Sequence, residues 1–201
     1  MRPHDLLHLK SDTSLAWDEA PAWVTKSLAR TPFVVVRRAE IRDDWIPVGV
    51  RGELRSRRYP ATLHACDVLQ TIKPETLAEA RSWRKHPHRA LPAFLALDPV
   101  ATAAANLNLV WGPCGSVGFE LASGAATVHS KSDLDLVVRP STTHTRKDLE
   151  MFARAIADLH VRIDVVIESA QGAVALDEWL RSPQRVLIKT VSGPQLGEFG
   201  W

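Results

Sequence analysis

The sequence predicts an α+β protein: a small α+β domain over residues 1–86, then a mixed sheet with packed helices over residues 87–201. Three observations predict it. Residues 161–168 alternate strictly, with Val161, Ile163, Val165 and Ile167 facing one way and Arg162, Asp164, Val166 and Glu168 the other, as a strand requires. Leu149, Phe152, Ile156 and Leu159 recur at helical spacing. Residues 84–92, RKHPHRALP, are basic and carry two prolines, which favour extended or turn backbone and suggest the junction.

The elements follow in order. Residues 33–37 and 45–50 are rich in valine and read as short strands. Pro74-Glu75 opens a helix to about Lys85, since proline fits a first helical turn. Residues 92–107 form an apolar helix, interrupted at Asp98-Pro99, and residues 107–112 a buried strand. The Gly115-Ser116 turn leads into a short helix over 117–123, stopped by Gly124. Residues 133–139 are the next strand, ended by Pro140. Thr145 and Asp148 are spaced as a capping box for the helix that carries Leu149, Phe152 and Ile156. After the strand over 161–168 come a short helix, Leu176–Arg181, and a last strand over 186–191.

The composition is that of a folded protein: 45% hydrophobic and 24% charged residues over 201 positions. A net charge of +2 is too small to argue for bulk nucleic-acid binding. No run approaches the roughly 18 apolar residues of a membrane span, and the first ten residues lack a signal-peptide core. Cys66 and Cys114 have no metal-ligand spacing. A cytoplasmic protein in a reducing compartment is expected, with no membrane or nucleic-acid partner.

Chemistry concentrates in residues 111–140, WGPCGSVGFELASGAATVHSKSDLDLVVRP. On a strand, Asp133 and Asp135 face the same way while Leu134 and Leu136 face the other. Neighbouring carboxylates repel unless a cation lies between them, and magnesium takes such oxygens while sharing its shell with phosphates. The buried run Leu136-Val137-Val138 makes a merely solvated acidic edge a poor explanation. Asp164 reaches the same face if its strand neighbours that of Asp133, giving metal ligands Asp133, Asp135 and Asp164. Alternatively Asp164 pairs with Arg162 as an ordinary ion pair. Gly115 and Ser116 suit a phosphate: glycine admits close approach, and helix-start amides and a hydroxyl donate to it.

Arginines crowd the first domain at Arg37, Arg38, Arg42, Arg51, Arg55, Arg57 and Arg58, where they suit an anionic ligand or an acidic protein. Arg51, Arg55, Arg58 and Lys131 are candidate phosphate-binding residues, with Arg139, Arg162 and Lys189 as further contacts. The eight histidines are read as carrying no ligand spacing, the seven tryptophans as core, and Cys114 as no nucleophile.

Gly-Ser followed by Asp-x-Asp and a later strand aspartate resembles the nucleotidyltransferase superfamily. More specifically, GSVGFELASG and SDLDL, with VGVRGELRSRR upstream and QGAVALDEWL downstream, resemble the phosphoribosyl-dephospho-CoA transferases of malonate decarboxylase. The resemblance implies a nucleotidyltransferase-like catalytic domain over 87–201 and recognition of substrate or carrier by 1–86. It implies a donor, 2′-(5″-triphosphoribosyl)-3′-dephospho-CoA, and an acceptor serine on the apo acyl-carrier subunit, with pyrophosphate released. It also implies magnesium at Asp133 and Asp135, with Asp164 as the third carboxylate or the group that orients the hydroxyl. A nucleotidyltransferase that adenylylates a small molecule or a toxin protein shares the same site features. A docking protein without catalysis is the non-enzymatic reading.

Overall fold

The computed structural model describes residues 1–10, 20–53 and 57–201. The chain divides into two compact units, Met1–Lys73 and Pro74–Trp201, each with its own core.

In the first unit the chain runs β1 (Leu6–Leu9), α1 (Ala22–Arg30), β2 (Phe33–Val36), β3 (Trp45–Arg51), β4 (Arg58–His64) and β5 (Val68–Ile72). The strands form one antiparallel sheet in the order β4-β3-β2-β1-β5. Val34, Val36, Val48 and Val50 are buried, and α1 lays Val24 and Leu28 into the same core. β2 and β3 fall where valine-rich strands are expected. β1, β4, β5 and α1 are additional, and Leu7 of β1 is fully buried.

The second unit runs α2 (Pro74–Ala80), α3 (Pro92–Leu95), α4 (Leu97–Asn106), β6 (Val110–Pro113), α5 (Gly115–Ser123), β7 (Leu134–Arg139), α6 (Arg146–Ile156), β8 (Ile163–Ser169), β9 (Gly172–Ala175), α7 (Leu176–Arg181), β10 (Val186–Thr190) and β11 (Gly193–Gly197). The sheet order is β11-β10-β9-β8-β7-β6. Only β7 and β8 are parallel among its neighbours, because α6 carries the chain back between them. The α+β class with a mixed sheet is therefore present.

The division between units falls at Lys73, whereas the basic, proline-bearing stretch places it at 86. The reason lies in α2. Pro74 sits so close to Gly112 of β6 that a side-chain carbon on Gly112 would lie 2.1 Å from it, and Glu75 reaches Arg139 of β7. The helix expected to close the first domain thus opens the second, and after Ala80 it gives way to a 3-10 turn at Ser82–Lys85.

Thr145 accepts from Asp148 N, and the Asp148 carboxylate accepts from Thr145 N, so the capping box exists. α6 buries Leu149, Phe152 and Ile156 against Leu134, Leu136 and Val138 of β7 and Val165 and Ile167 of β8. Alternation then turns Asp133, Asp135, Arg139, Asp164 and Glu168 to the opposite face of the two strands. No helix among the described residues is long and apolar enough to cross a membrane.

Candidate active site

The parallel register pairs Asp135 with Asp164 and Leu134 with Ile163. Directly paired residues share a face, and neighbouring strands lie about 4.8 Å apart. Asp133, two positions before Asp135, joins them by alternation, so all three predicted carboxylates occupy one face at the start of β7 and β8. Each is half-buried.

Gly115 closes one side of this group. Its backbone lies at φ +56°, and a Cβ built there would sit 1.8 Å from Asp135 Oδ2. Cys114 N donates to Asp135 O at 2.9 Å, fixing the turn to β7. α5 starts at Gly115 itself, two residues earlier than the sequence suggests, so both Gly115 and Ser116 lie in its first turn. The Ser116 carbonyl accepts from Thr127 Oγ1 at 2.9 Å, tying α5 to the segment that leads to Asp133. Burial, and then the negative charges of Asp135 and Glu168, push the Cys114 thiol far up from its ordinary value.

Arg162 completes the charge pattern. Its Nε donates to Asp164 Oδ1 at 3.1 Å, and its carbonyl accepts from Leu134 N at 2.9 Å. The hydrogen bond and charge of Asp164, with the charges of Asp133 and Asp135, raise the guanidinium pKa further above its usual value. Three carboxylates, one glycine with no room for a side chain, and one arginine thus share a small surface. Such a set can hold a hard cation and receive phosphate oxygens.

Residues 2–74 match the phosphoribosyl-dephospho-CoA transferase MdcG N-terminal domain, and residues 76–198 match its C-terminal domain. The chain belongs to the phosphoribosyl-dephospho-CoA transferase family. A phosphoribosyl-dephospho-CoA transferase of Pseudomonas syringae pv. tomato is 40% identical, covering 99% of this chain and 92% of the relative. One from Pseudomonas putida is 38% identical over 100% of this chain and 95% of its own. Another, from Azotobacter vinelandii, is 37% identical, with 100% and 94% covered. No solved structure matches.

Within this transferase-family chain the other candidate phosphate ligands are scattered. Arg51 and Arg58 are paired across β3 and β4 of the first unit, and Arg55 lies outside the described residues. Lys131 is exposed in the loop before Asp133, and Lys189 is exposed on β10. Arg139 is otherwise engaged: its side chain, 10% exposed, bridges Glu75 at 2.5 Å and Glu168 at 2.9 Å. It is a structural tie between α2, β7 and β8.

One histidine reading needs correction. His86-Pro87-His88 has His-x-His spacing, which the basic, proline-bearing stretch obscures. His86 Nε2, His88 Nδ1 and one oxygen of the buried Glu120 lie within 4.8 Å of one another, a group that could hold a metal ion. Hydrogen bonds already account for much of it. Glu120 Oε2 accepts from Thr127 N and Val128 N at 2.6 and 2.7 Å, and Glu120 Oε1 lies 2.7 Å from His88 Nδ1. His86 Nδ1 accepts from His88 N at 3.2 Å, which puts the ring proton on Nε2, the atom facing Glu120. Glu120 thereby latches the loop after α5, a role hidden in the sequence because the residue sits inside the apolar GSVGFELASG segment.

Proposed function

We propose that this chain transfers the 5″-phosphoribosyl-3′-dephospho-CoA group from its 2′-(5″-triphosphoribosyl) precursor to a serine of the apo acyl-carrier subunit of malonate decarboxylase. The observation that carries the proposal is the register of Asp135 beside Asp164, with Asp133 on the same face and Gly115 against Asp135, in a chain matched to the family over both domains.

The serine oxygen bonds to the α-phosphorus as the bond from that phosphorus to its β-bridging oxygen breaks. Pyrophosphate leaves with the electron pair, and the hydroxyl proton passes to a carboxylate or to water. Phosphoryl transfer of this kind asks for in-line positioning and neutralised charge. We assign the Gly115-Ser116 turn at the start of α5 to the donor's phosphate oxygens. Asp164 is assigned either to the metal site or to orienting the attacking hydroxyl.

Three carboxylates against one arginine leave the site net negative, and the donor set is all hard oxygen, so it fits magnesium at Asp133, Asp135 and Asp164. When bound, that ion supplies charge neutralisation for the triphosphate. Arginines of the first unit, Arg51 and Arg58 among them, are assigned to the donor's phosphates or the acidic carrier.

The test is to incubate the protein with magnesium, authentic apo carrier and the triphosphoribosyl donor, following carrier mass and pyrophosphate. The carrier gains one phosphoribosyl-dephospho-CoA group, ATP does not replace the donor, and Asp133→Asn loses the activity while staying folded. No mass gain on the carrier overturns the assignment.

A further inference from the structure

Arg162 stands out among the charged groups around the three aspartates. Extending the printed register back one position from Leu134 and Ile163 sets Arg162 beside Asp133, as Asp164 lies beside Asp135. The hydrogen bond from Leu134 N to Arg162 O fixes that placement. Four charged side chains therefore form a square on one face, three negative and one positive.

The guanidinium meets Asp164 through Nε alone, at 3.1 Å. Among the described residues its two terminal nitrogens have no hydrogen-bond partner, and the side chain is 73% exposed. The end of the fork that binds two phosphate oxygens at once is thus left toward solvent, while Nε anchors the plane. Neighbouring Arg139, on the same face, is closed at both terminal nitrogens by Glu75 and Glu168 and cannot serve.

We propose that Arg162 grips the β- and γ-phosphates of the donor through its terminal nitrogens and holds them as pyrophosphate departs. Its contact with Asp164 sets the fork's position beside the carboxylates, so the leaving group is received next to the breaking bond. The donor's identity in this proposal rests on the proposed function; the phosphate site itself rests on Arg162.

The experiment measures binding of magnesium pyrophosphate to the full chain by calorimetry, alongside carrier modification. Arg162→Ala weakens pyrophosphate binding by roughly tenfold or more, as expected for loss of charge-assisted bonds. Arg162→Lys keeps the charge, lacks the fork and recovers little of that affinity. Arg185→Ala, an exposed arginine elsewhere in the unit, changes nothing. In the transfer reaction Arg162→Ala slows turnover at saturating donor. No pyrophosphate binding by the unaltered chain, unchanged affinity in Arg162→Ala, or full rescue by lysine overturns the proposal. Arg162-dependent pyrophosphate binding without carrier modification upholds this site and removes the proposed acceptor reaction.

Discussion

Gly115 lies so close to Asp135 that a methyl group on its Cα would sit 1.8 Å from Oδ2 and 2.6 Å from Cγ. The glycine turn and the aspartate strand, 20 positions apart in the chain, are one structural unit. A side chain at 115 must push the carboxylate away from its neighbours Asp133 and Asp164.

Gly115→Ala is therefore expected to remove most activity. Its backbone strain at φ +56° is about 1 kcal/mol, which is shared by any left-handed position. Gly124 supplies the control: it lies at φ +72° with nothing within 4 Å of a built Cβ. Gly124→Ala should lose only the backbone-strain share, about 1 kcal/mol, in urea unfolding and retain activity. Equal activity losses in the two variants would show that Asp135 placement is not what Gly115 protects.

The shared face of Asp133 and Asp135 is legible in the sequence because it needs only the two-residue period of a strand. That Asp164 stands opposite Asp135 is not legible, since pairing partners are set by the whole sheet. The helix over 92–107 breaks at Ala96, not at Asp98-Pro99, because Pro99 sits in the first turn of α4, where its missing N–H has no partner to lose. β9 and β11, GAVA and GPQLG, are too short and too rich in glycine to show a pattern. Glu75 and Glu168 reveal nothing alone; each gains its role from Arg139, 64 and 29 positions away.

That largely buried triad carries its own expectation. Arg139, Glu75 and Glu168 are 10%, 12% and 6% exposed, with the guanidinium between two carboxylates. Removing one partner from a buried ion pair strands the others, typically at about 3–5 kcal/mol. Arg139→Met should lower unfolding free energy by that order, while Glu75→Gln, which leaves Arg139 with Glu168, should lower it less. A urea midpoint for Arg139→Met equal to that of the unaltered chain would mean that the triad contributes nothing.

The two cysteines should separate cleanly by reactivity. Cys66 is exposed, with Sγ 2.9 Å from His64 Nδ1, whereas Cys114 is buried and its thiol is pushed up by burial and by Asp135 and Glu168. The thiolate is the reactive form, so Cys114 should be inert. Titration with a disulfide reagent near pH 8 is expected to find one reactive thiol in the native protein and two after unfolding. Rapid modification of Cys114 in the folded chain would contradict its burial.

Asp98 gives a pH dependence with a definite sign. Burial alone would raise its pKa, but hydrogen bonds from Arg84 at 2.9 Å and Trp83 at 3.1 Å, with the charges of Arg84 and Arg81, leave it lowered. A carboxyl whose pKa is lower folded than unfolded stabilises the fold fully above its unfolded value, about 3.9, and loses that contribution as pH falls through the folded value. Asp98→Asn keeps an oxygen for the Trp83 indole but removes the charge. The variant should therefore be less stable near pH 7, and the difference should narrow as pH falls below about 4. Tryptophan fluorescence, to which the buried Trp83 beside Asp98 contributes, follows the unfolding. A stability gap that stays constant or widens below pH 4 would show that the Asp98 charge does not favour the folded state.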